Sequence, residues 1–358
     1  MTSQKYRHRI TLAIPKDREG VYRHIANACD YEGVEFQLYD IYSCNWIDEI
    51  RTLNPDGCIY SGEFRFASWR DLFRERIRFL NEQLGIPLYP RLHEYDLWES
   101  KRKMSYWLKA NHVPHAETWV FGDKEEAYHF ILEAEYPIVF KTDFGNASFG
   151  VRILKNRKQA LAIWSKSFGN GFRIPTYNSA SLDLRNRIKA IVRPAYRSIT
   201  GIRDIPRDVE VDIMLLQKAI DIKNEWRVIK SGDCYFGHQK LPSLKGMRSG
   251  SSLVGWVVPP IELFEFVKVI CEKGDFSTMC VDVFEDSKGQ YYVNELQTIF
   301  GVIAPNQMYK KVRDKLVGIK ICFDRTANTW TEEEGEFGQD YHYRTRLKTF
   351  VAILNNAG

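Results

Sequence analysis

Short apolar segments alternate with amphipathic ones over the first ninety residues, and this alternation limits the fold more than any other feature of the chain. Parallel strands need a helical crossover between them, so the pattern is typical of a small parallel sheet. No G-x-G-x-x-G follows the first apolar segment, which argues against a dinucleotide site there. The predicted elements are strands at 9–14, 34–41, 57–62 and 86–90 and helices at 18–30, 47–53 and 70–84.

The pattern changes after a predicted helix at 100–111. A chain of 358 residues has room for two or three domains. Strands and helices no longer alternate regularly, so the whole chain is predicted to combine α/β and α+β architecture. The further predicted elements are strands at 117–121, 137–142, 149–154, 208–220 and 225–241, a hairpin at 280–297, and helices at 124–134, 157–167, 260–273 and 341–354.

Composition narrows the class of protein. The chain has 51 basic and 46 acidic residues, and its net charge of +5 is mild for this length. A duplex-DNA binder carries a stronger and more clustered positive charge, so nucleic acid is not an expected partner. Seven cysteines without a C-x-x-C spacing argue against a disulfide framework or a zinc site and predict reduced thiols. No uncharged apolar segment is long enough for a membrane span, and we expect a cytoplasmic protein.

A lysine followed by small residues is the strongest local feature. In YPIVFKTDFGNASFGVRIL (136–154), a predicted strand ends at Lys141 and a short loop precedes the next strand. Backbone N–H groups of such a loop can bind phosphate oxygens while the lysine supplies positive charge. The alternative is a plain hairpin whose glycines only satisfy the turn. The candidate phosphate-binding residues are Gly145, Asn146, Ala147 and Ser148.

Acidic side chains interrupt the apolar hairpin at 280–297. With a two-residue turn at 287–288, Asp282 would face Val293, and Glu295 would lie diagonally across on the same face. Two carboxylates and an amide oxygen suit magnesium. The alternative is a solvated face of an edge hairpin, although the apolar neighbours favour a function. The predicted metal ligands are Asp282, Glu295 and Gln297.

The segment LLQKAIDIKNEWRVIKSG (215–232) joins two predicted strands through a short connector. Backbone groups of a connector can bind an adenine edge, the Glu225 carboxylate can bind ribose hydroxyls, and Arg227 can bind phosphate. The alternative for this Glu–Arg pair is an exposed strand surface without a function.

In order and spacing, these motifs resemble the ATP-grasp superfamily over roughly 99–305. The segment ESKRKMSYWLKANHVPHAETWVF (99–121) is similar to the opening segment of that family. The resemblance implies that Lys101 is the first nucleotide lysine, with Lys103 as the fallback, although the family has Asp-Lys where this chain has Ser100-Lys101. It further implies that Lys141 is the second nucleotide lysine and that residues 145–150 form the mobile phosphate loop.

The resemblance also implies the remaining nucleotide contacts. Glu225 occupies the position of the ribose-binding acid, and Gln297 replaces the asparagine of the family's metal triad, whose acids match Asp282 and Glu295. EWRVIKSG is most similar to the branch that adds glutamate to the tail of a ribosomal protein, among the glutathione synthetase-like carboxylate–amine ligases. Arg227 would then be the catalytic arginine. The adenine hinge would consist of Gln217, Lys218, Ala219 and Ile220.

The reaction that the resemblance implies is ATP-dependent carboxylate–amine ligation through an acyl phosphate, with ATP and two magnesium ions. Lys141, Arg227 and Arg248 are the expected catalytic residues. The substrates would be a small-molecule or peptide acid and an amine, and enzymes of this group commonly form dimers or tetramers. The alternatives are an ATP-grasp phosphotransferase and a non-catalytic nucleotide-binding protein. The expected domains are a Rossmann-like pre-ATP-grasp domain at 1–98, an ATP-grasp domain at 99–320 with a lid at 117–216, and a C-terminal extension at 321–358.

Two further segments are candidates for substrate binding. An insertion at about 168–208 is rich in basic residues, which favours an anionic substrate such as a sugar acid, a phosphorylated sugar or an acidic peptide; a solvated insertion is the alternative. A Gly/Ser loop at 241–256 offers Lys240, Lys245 and Arg248 for a substrate carboxylate, or is simply flexible. The basic residues of the insertion are Arg173, Arg185, Arg187, Lys189, Arg193, Arg197, Arg203 and Arg207.

Overall fold

The structure of the chain is a computed structural model. It describes residues 10–62, 64, 67–98, 100–144, 150–173, 209–242, 253–255, 257–301 and 306–357. Within these ranges the strands form three main sheets and one short two-stranded pair. The combination of α/β and α+β architecture that the sequence predicts is confirmed.

The N-terminal sheet is parallel throughout, with strand order β2-β1-β3-β4, as the alternating pattern predicts. Asp17 caps the first helix, because its carboxylate accepts hydrogen bonds from four successive backbone N–H groups at 19–22. The elements are β1 (Thr11–Pro15), α1 (Tyr22–Glu32), β2 (Glu35–Tyr39), α2 (Trp46–Leu53), β3 (Gly57–Ile59), α3 (Ala67–Glu82), β4 (Leu88–Tyr89) and α4 (Leu92–Leu97).

A second, antiparallel sheet has strand order β5-β10-β6-β7, and two helices pack on it. Three helices in this part of the chain begin at polar side chains that accept a backbone hydrogen bond: Ser100, Asp123 and Asn156. The elements are α5 (Lys101–Ala110), β5 (Thr118–Phe121), α6 (Lys124–Glu133), β6 (Ile138–Lys141), β7 (Val151–Leu154), α7 (Arg157–Ser167), β8 (Phe172–Arg173), β9 (Val209–Glu210) and β10 (Met214–Lys218).

The largest sheet is antiparallel, with order β15-β14-β11-β12-β17-β16, and β13 and β18 extend it. One face is apolar and packs on α5 and α8 through residues such as Val228, Val281 and Phe264. Each fully buried side chain of this kind contributes about 1.5–3 kcal/mol. The elements are β11 (Ile222–Ser231), β12 (Cys234–Lys240), β13 (Val254–Gly255), α8 (Ile261–Lys273), β14 (Thr278–Asp286), β15 (Tyr291–Gln297), β16 (Tyr309–Val312), β17 (Lys315–Asp324) and β18 (Thr329–Glu334).

The C-terminal helix α9 (Gln339–Ala357) returns to the N-terminal sheet. Its residues Tyr343, Leu347 and Phe350 pack in the same core as β1 and α1. The predicted domain boundary at residue 320 lies inside β17. None of the helices among the described residues is long and apolar enough to cross a membrane.

One expectation about the cysteines is wrong. Cys234 and Cys322 are joined by a disulfide between β12 and β17, where they occupy directly paired positions. Separated by 88 residues in sequence, they give no local spacing signal, and only strand pairing brings them together. The five other cysteines are free thiols, as expected.

Candidate nucleotide site

The face of the large sheet opposite the helices carries a row of charged side chains. Arg227 on β11 is paired directly with Asp282 on β14, and Asp282 is paired directly with Glu295 on β15. One step along, Glu225 is paired with Lys240 on β12. Because side chains of directly paired residues point to the same face, these five groups lie together.

The hairpin that carries the acids differs in register from the prediction. Its turn contains three residues rather than two, because Gly289 adopts a φ of +78° and closes onto Asp286. A bulge at Asn294 then adds one more residue to β15. Asp282 therefore faces Glu295 and not Val293, so the two carboxylates are closer neighbours than the sequence predicts.

Asp282 is only 1% exposed and is held by two cations. Arg227 donates to both carboxylate oxygens, at 2.8 and 2.9 Å, and Lys240 Nζ donates to one of them at 2.7 Å. Burial would raise the pKa of Asp282, but the charges of Arg227 and Lys240 outweigh burial and lower this pKa below its usual value. The pKa of Arg227 is raised well above its usual value, since Asp282 outweighs the opposing effect of burial. Asp282 therefore stays ionised at neutral pH.

Lys240 also contacts Glu225, with Nζ 3.0 Å from a carboxylate oxygen. The sequence offers Lys240 for a substrate carboxylate; in this structure its ammonium group pairs with Glu225 and Asp282 instead, and a role toward substrate stays a prediction. Burial raises the pKa of Glu225. Beside Arg227, His238 is neutral at pH 7, because burial and the charge of Arg227 lower its pKa to about 4.

The Lys141 side chain extends from β6 of the second sheet to β15 of the large sheet. Its Nζ donates to Asn294 Oδ1 at 3.1 Å, which places the lysine beside the acid-bearing strand. Burial, followed by the charge of Lys101, lowers the pKa of Lys141 to about 8, although Glu295 and Glu225 oppose this shift. The structure thus brings the predicted nucleotide lysine beside the strand of the predicted metal ligands, and the junction of the two sheets at Lys141, Asp282 and Glu295 is termed the cleft.

The two candidates for the first nucleotide lysine have different surroundings. Lys101 Nζ donates to the backbone carbonyl of Asp143 at 3.2 Å, close enough to Lys141 to lower its pKa. Lys103 is about half-exposed and pairs with Asp96 at 3.2 Å. Of the two, only Lys101 lies at the cleft.

Asp143 joins the helix of Lys101 to the strand of Lys141. Its buried carboxylate accepts hydrogen bonds from the Ser100 hydroxyl and the Arg102 backbone N–H, and it pairs with the Arg102 guanidinium at 2.9 Å. Its own backbone N–H donates to Glu210 at 2.8 Å. Asp143 therefore fixes the start of α5 against the end of β6.

Thr142 and Gly150 form the base of the small-residue loop. Thr142 N donates to the carbonyl of Gly150 at 3.0 Å, which closes the base. Gly150 has a φ of +80°, and a Cβ there would lie 2.0 Å from the Thr142 hydroxyl, so only glycine fits. Phe144 lies under the guanidinium of Arg70 from α3, at 3.6 Å. The predicted loop residues 145–148, Arg248 and the predicted basic insertion beyond Arg173 lie outside the described residues.

The predicted adenine hinge begins with the last two residues of β10. Gln217 is buried, and its amide donates to the Thr118 hydroxyl at 3.0 Å. The backbone N–H of Lys218 donates to the carbonyl of Glu117. Ala219 and Ile220 then connect the second sheet to β11. The hinge therefore joins the two sheets that contribute Lys141 and Asp282.

The acids of the site fit a magnesium–nucleotide complex. Asp282 accepts three hydrogen bonds, which leaves one oxygen lone pair, and no described residue donates a hydrogen bond to Glu295. Gln297 lies one step along the same face, paired with Cys280. Among the described residues, no three His, Cys, Asp or Glu side chains could hold a metal alone. Magnesium is commonly bound by one or two carboxylates together with substrate phosphates, so the donor set suits that arrangement.

Sequence reasoning missed two positioning residues, Asp143 and Asn294. Asp143 follows Lys141 by two positions, in TDFG, and Asn294 directly precedes Glu295, in VNEL. This proximity is the only sequence signal that could have found them, because their contacts depend on how the sheets pack.

Comparisons with known proteins give the fold. No family model matches the chain, and no curated protein matches it. Similar solved structures include the biotin carboxylase domain of 2-oxoglutarate carboxylase from Hydrogenobacter thermophilus, with 17% identity over 84% of this chain and 66% of that chain and a TM-score of 0.52. An ADP complex of N5-carboxyaminoimidazole ribonucleotide synthetase has 13% identity over 98% and 97% of the two chains and a TM-score of 0.51. D-cycloserine synthetase DcsG has 14% identity over 80% and 91%, with a TM-score of 0.52.

The chain has the ATP-grasp fold, as the motifs of its sequence indicate. It spans just under two thirds of the biotin carboxylase chain, and at these identities the likeness establishes fold alone. A function must therefore be inferred from the residues of the cleft.

Proposed function

We propose that this protein is an ATP-dependent carboxylate–amine ligase that works through an acyl phosphate. The observation that carries the proposal is the hydrogen bond from Lys141 to Asn294, which sets a buried lysine beside Glu295 and the Asp282–Arg227 pair. Cations next to paired carboxylates are what a metal-bound triphosphate needs. Similar structures hold MgADP and ADP, which supports the same nucleotide here.

Each residue then has a role in phosphoryl transfer. Lys101 and Lys141 would bind the phosphates, and Arg227 would stabilise the charge that develops on the transferred phosphoryl group. Asp282, Glu295 and Gln297 would hold magnesium, which neutralises phosphate charge when bound. Adenine would contact the hinge at 217–220.

The reaction would proceed in two balanced steps. A carboxylate oxygen of the acid attacks the γ-phosphorus, the bond to the β-phosphate oxygen breaks, and ADP leaves. The amine then attacks the acyl carbon, loses a proton, and expels inorganic phosphate as the amide forms. An acyl phosphate hydrolyses in water, so the site would have to exclude water until the amine attacks.

The test is a screen of acids and amines with ATP and magnesium, followed by mass spectrometry and by assays of ADP and phosphate. We expect ADP and phosphate in equal amounts together with a condensed product. Lys101→Met should abolish turnover and Lys103→Met should retain it, since only Lys101 lies at the cleft. ADP with the phosphate retained on a substrate would identify a kinase instead. Nucleotide binding without turnover for every acid and amine in the screen would contradict an enzymatic function.

A further inference from the structure

Arg346 on α9 is a buried cation without an ion-pair partner among the described residues. It is 7% exposed, its Nε has no hydrogen-bond partner, and its Nη2 donates only a long hydrogen bond, at 3.4 Å, to the Thr298 carbonyl. The Glu94 carboxylate affects Arg346 electrostatically but lies beyond ion-pair distance of it. It accepts hydrogen bonds from Ser277 and forms an ion pair with Arg91 instead. Arginine stays protonated in proteins, so this charge must be balanced in another way.

The aromatic neighbours balance only part of that charge. The guanidinium carbon lies 4.2 Å from the centre of the Phe300 ring. A cation–π contact of this kind offsets only part of the cost of burying a cation. Within the described part of the chain, no carboxylate forms an ion pair with this cation.

A small cavity adjoins Arg346 at the junction of α9 with the N-terminal and large sheets. It has a volume of about 10 Å³, and its polar lining includes Tyr60, Tyr89, Thr278 and Thr298. The Tyr60 hydroxyl is buried without a hydrogen-bond partner, at 2% exposure for the residue, while Tyr89 and Thr278 bond to each other at 2.6 Å. Two unused donors, Arg346 Nε and the Tyr60 hydroxyl, thus belong to groups that border one cavity.

We propose that this cavity binds a single chloride-sized anion, held by Arg346 and Tyr60. The volume is close to that of one water-sized sphere, which excludes phosphate and carboxylate ligands; a chloride ion, slightly larger than water, needs only a small outward shift of the lining side chains. A water molecule would satisfy the donors but would leave the cation unbalanced. The site does not depend on the proposed ligase activity. It lies next to the large sheet, since Thr298 directly follows Gln297 of β15.

The test compares thermal unfolding of the full chain in sodium chloride and in sodium gluconate at equal ionic strength. Saturating chloride should raise the Tm by about 2–5 °C over gluconate. Arg346→Met should lose this difference. Lys348→Met, which removes a positive charge from the exposed part of the same helix, should keep it. Equal Tm values in the two salts for the parent chain, or an undiminished chloride response in Arg346→Met, would overturn the proposal.

A second variant keeps the test decisive if Arg346→Met does not fold. Tyr60→Phe removes one hydroxyl and should raise the chloride concentration at half-effect about tenfold. An unchanged half-effect concentration would contradict the proposed site. In crystals soaked in bromide, we expect an anomalous peak beside Arg346, and its absence would count equally against the proposal.

Discussion

Replacing the two acids of the cleft should separate their structural and chemical roles. Asp282→Asn removes a charge that Arg227 contacts at 2.8 and 2.9 Å and Lys240 at 2.7 Å, all in a buried setting. Breaking a buried ion pair in this way costs about 3–5 kcal/mol. Because Lys240 keeps Glu225 as a partner and asparagine still accepts a hydrogen bond, we expect the lower end, about 3 kcal/mol.

Glu295→Gln is the matched comparison. Within the described part of the chain, no hydrogen bond or ion pair holds this carboxylate, so its loss should change stability by less than about 1 kcal/mol. Both variants should lose magnesium-dependent ADP formation by about 100-fold or more, since each removes a proposed metal ligand worth several kcal/mol.

The assay is urea unfolding, followed by tryptophan fluorescence, beside steady-state ADP release. Nine tryptophans report on unfolding. An Asp282→Asn protein as stable as the parent would refute the ion-pair network. Full turnover in Glu295→Gln would refute the metal assignment, whatever its stability.

Three other predictions concern different parts of the chain. ATP affinity should fall above pH 8, because Lys141, whose pKa burial lowers to about 8, loses its charge there; Lys141→Arg should remove this dependence in calorimetric titrations, and a persistent dependence would implicate another group. Asp143→Asn should raise the KM for ATP about tenfold by loosening the helix of Lys101, the loss of about one charge-assisted hydrogen bond; an unchanged KM would show that Asp143 does not position it. Non-reducing peptide mapping should find Cys234 bridged to Cys322, and replacing both by serine should cost about 2–4 kcal/mol in urea unfolding; two free thiols in the map would contradict the bridge.

Local patterns in the sequence predict most elements before residue 300, but they do not predict the strands β16, β17 and β18. The parallel sheet β1–β4 follows from apolar segments that alternate with helices, and the hairpin of β14 and β15 follows from its alternating residues. Both depend on contacts between neighbours in sequence or on a regular crossover. The ATP-grasp fold is indicated differently, by the resemblance of the motifs in order and spacing to a known family.

Details that depend on packing could not be predicted in this way. Glu295 lies directly opposite Asp282 because the hairpin contains one glycine with positive φ and one bulge. The alternation of apolar and polar residues along a strand predicts neither of them. The bond between Cys234 and Cys322 needs a strand pairing across 88 residues. Lys240 could be identified as basic, but only the structure shows that it is held by Glu225 and Asp282.

The most direct test of the central claim is a crystal structure of the full chain with magnesium and a non-hydrolysable ATP analogue. The claim is that one cleft between the second and the large sheet holds the nucleotide. We expect the γ-phosphate within hydrogen-bond distance of Lys141 and a metal ion in contact with Asp282 and Glu295. A nucleotide bound elsewhere, such as at the C-terminal edge of the parallel sheet, with Asp282 and Glu295 free of metal, would contradict the account.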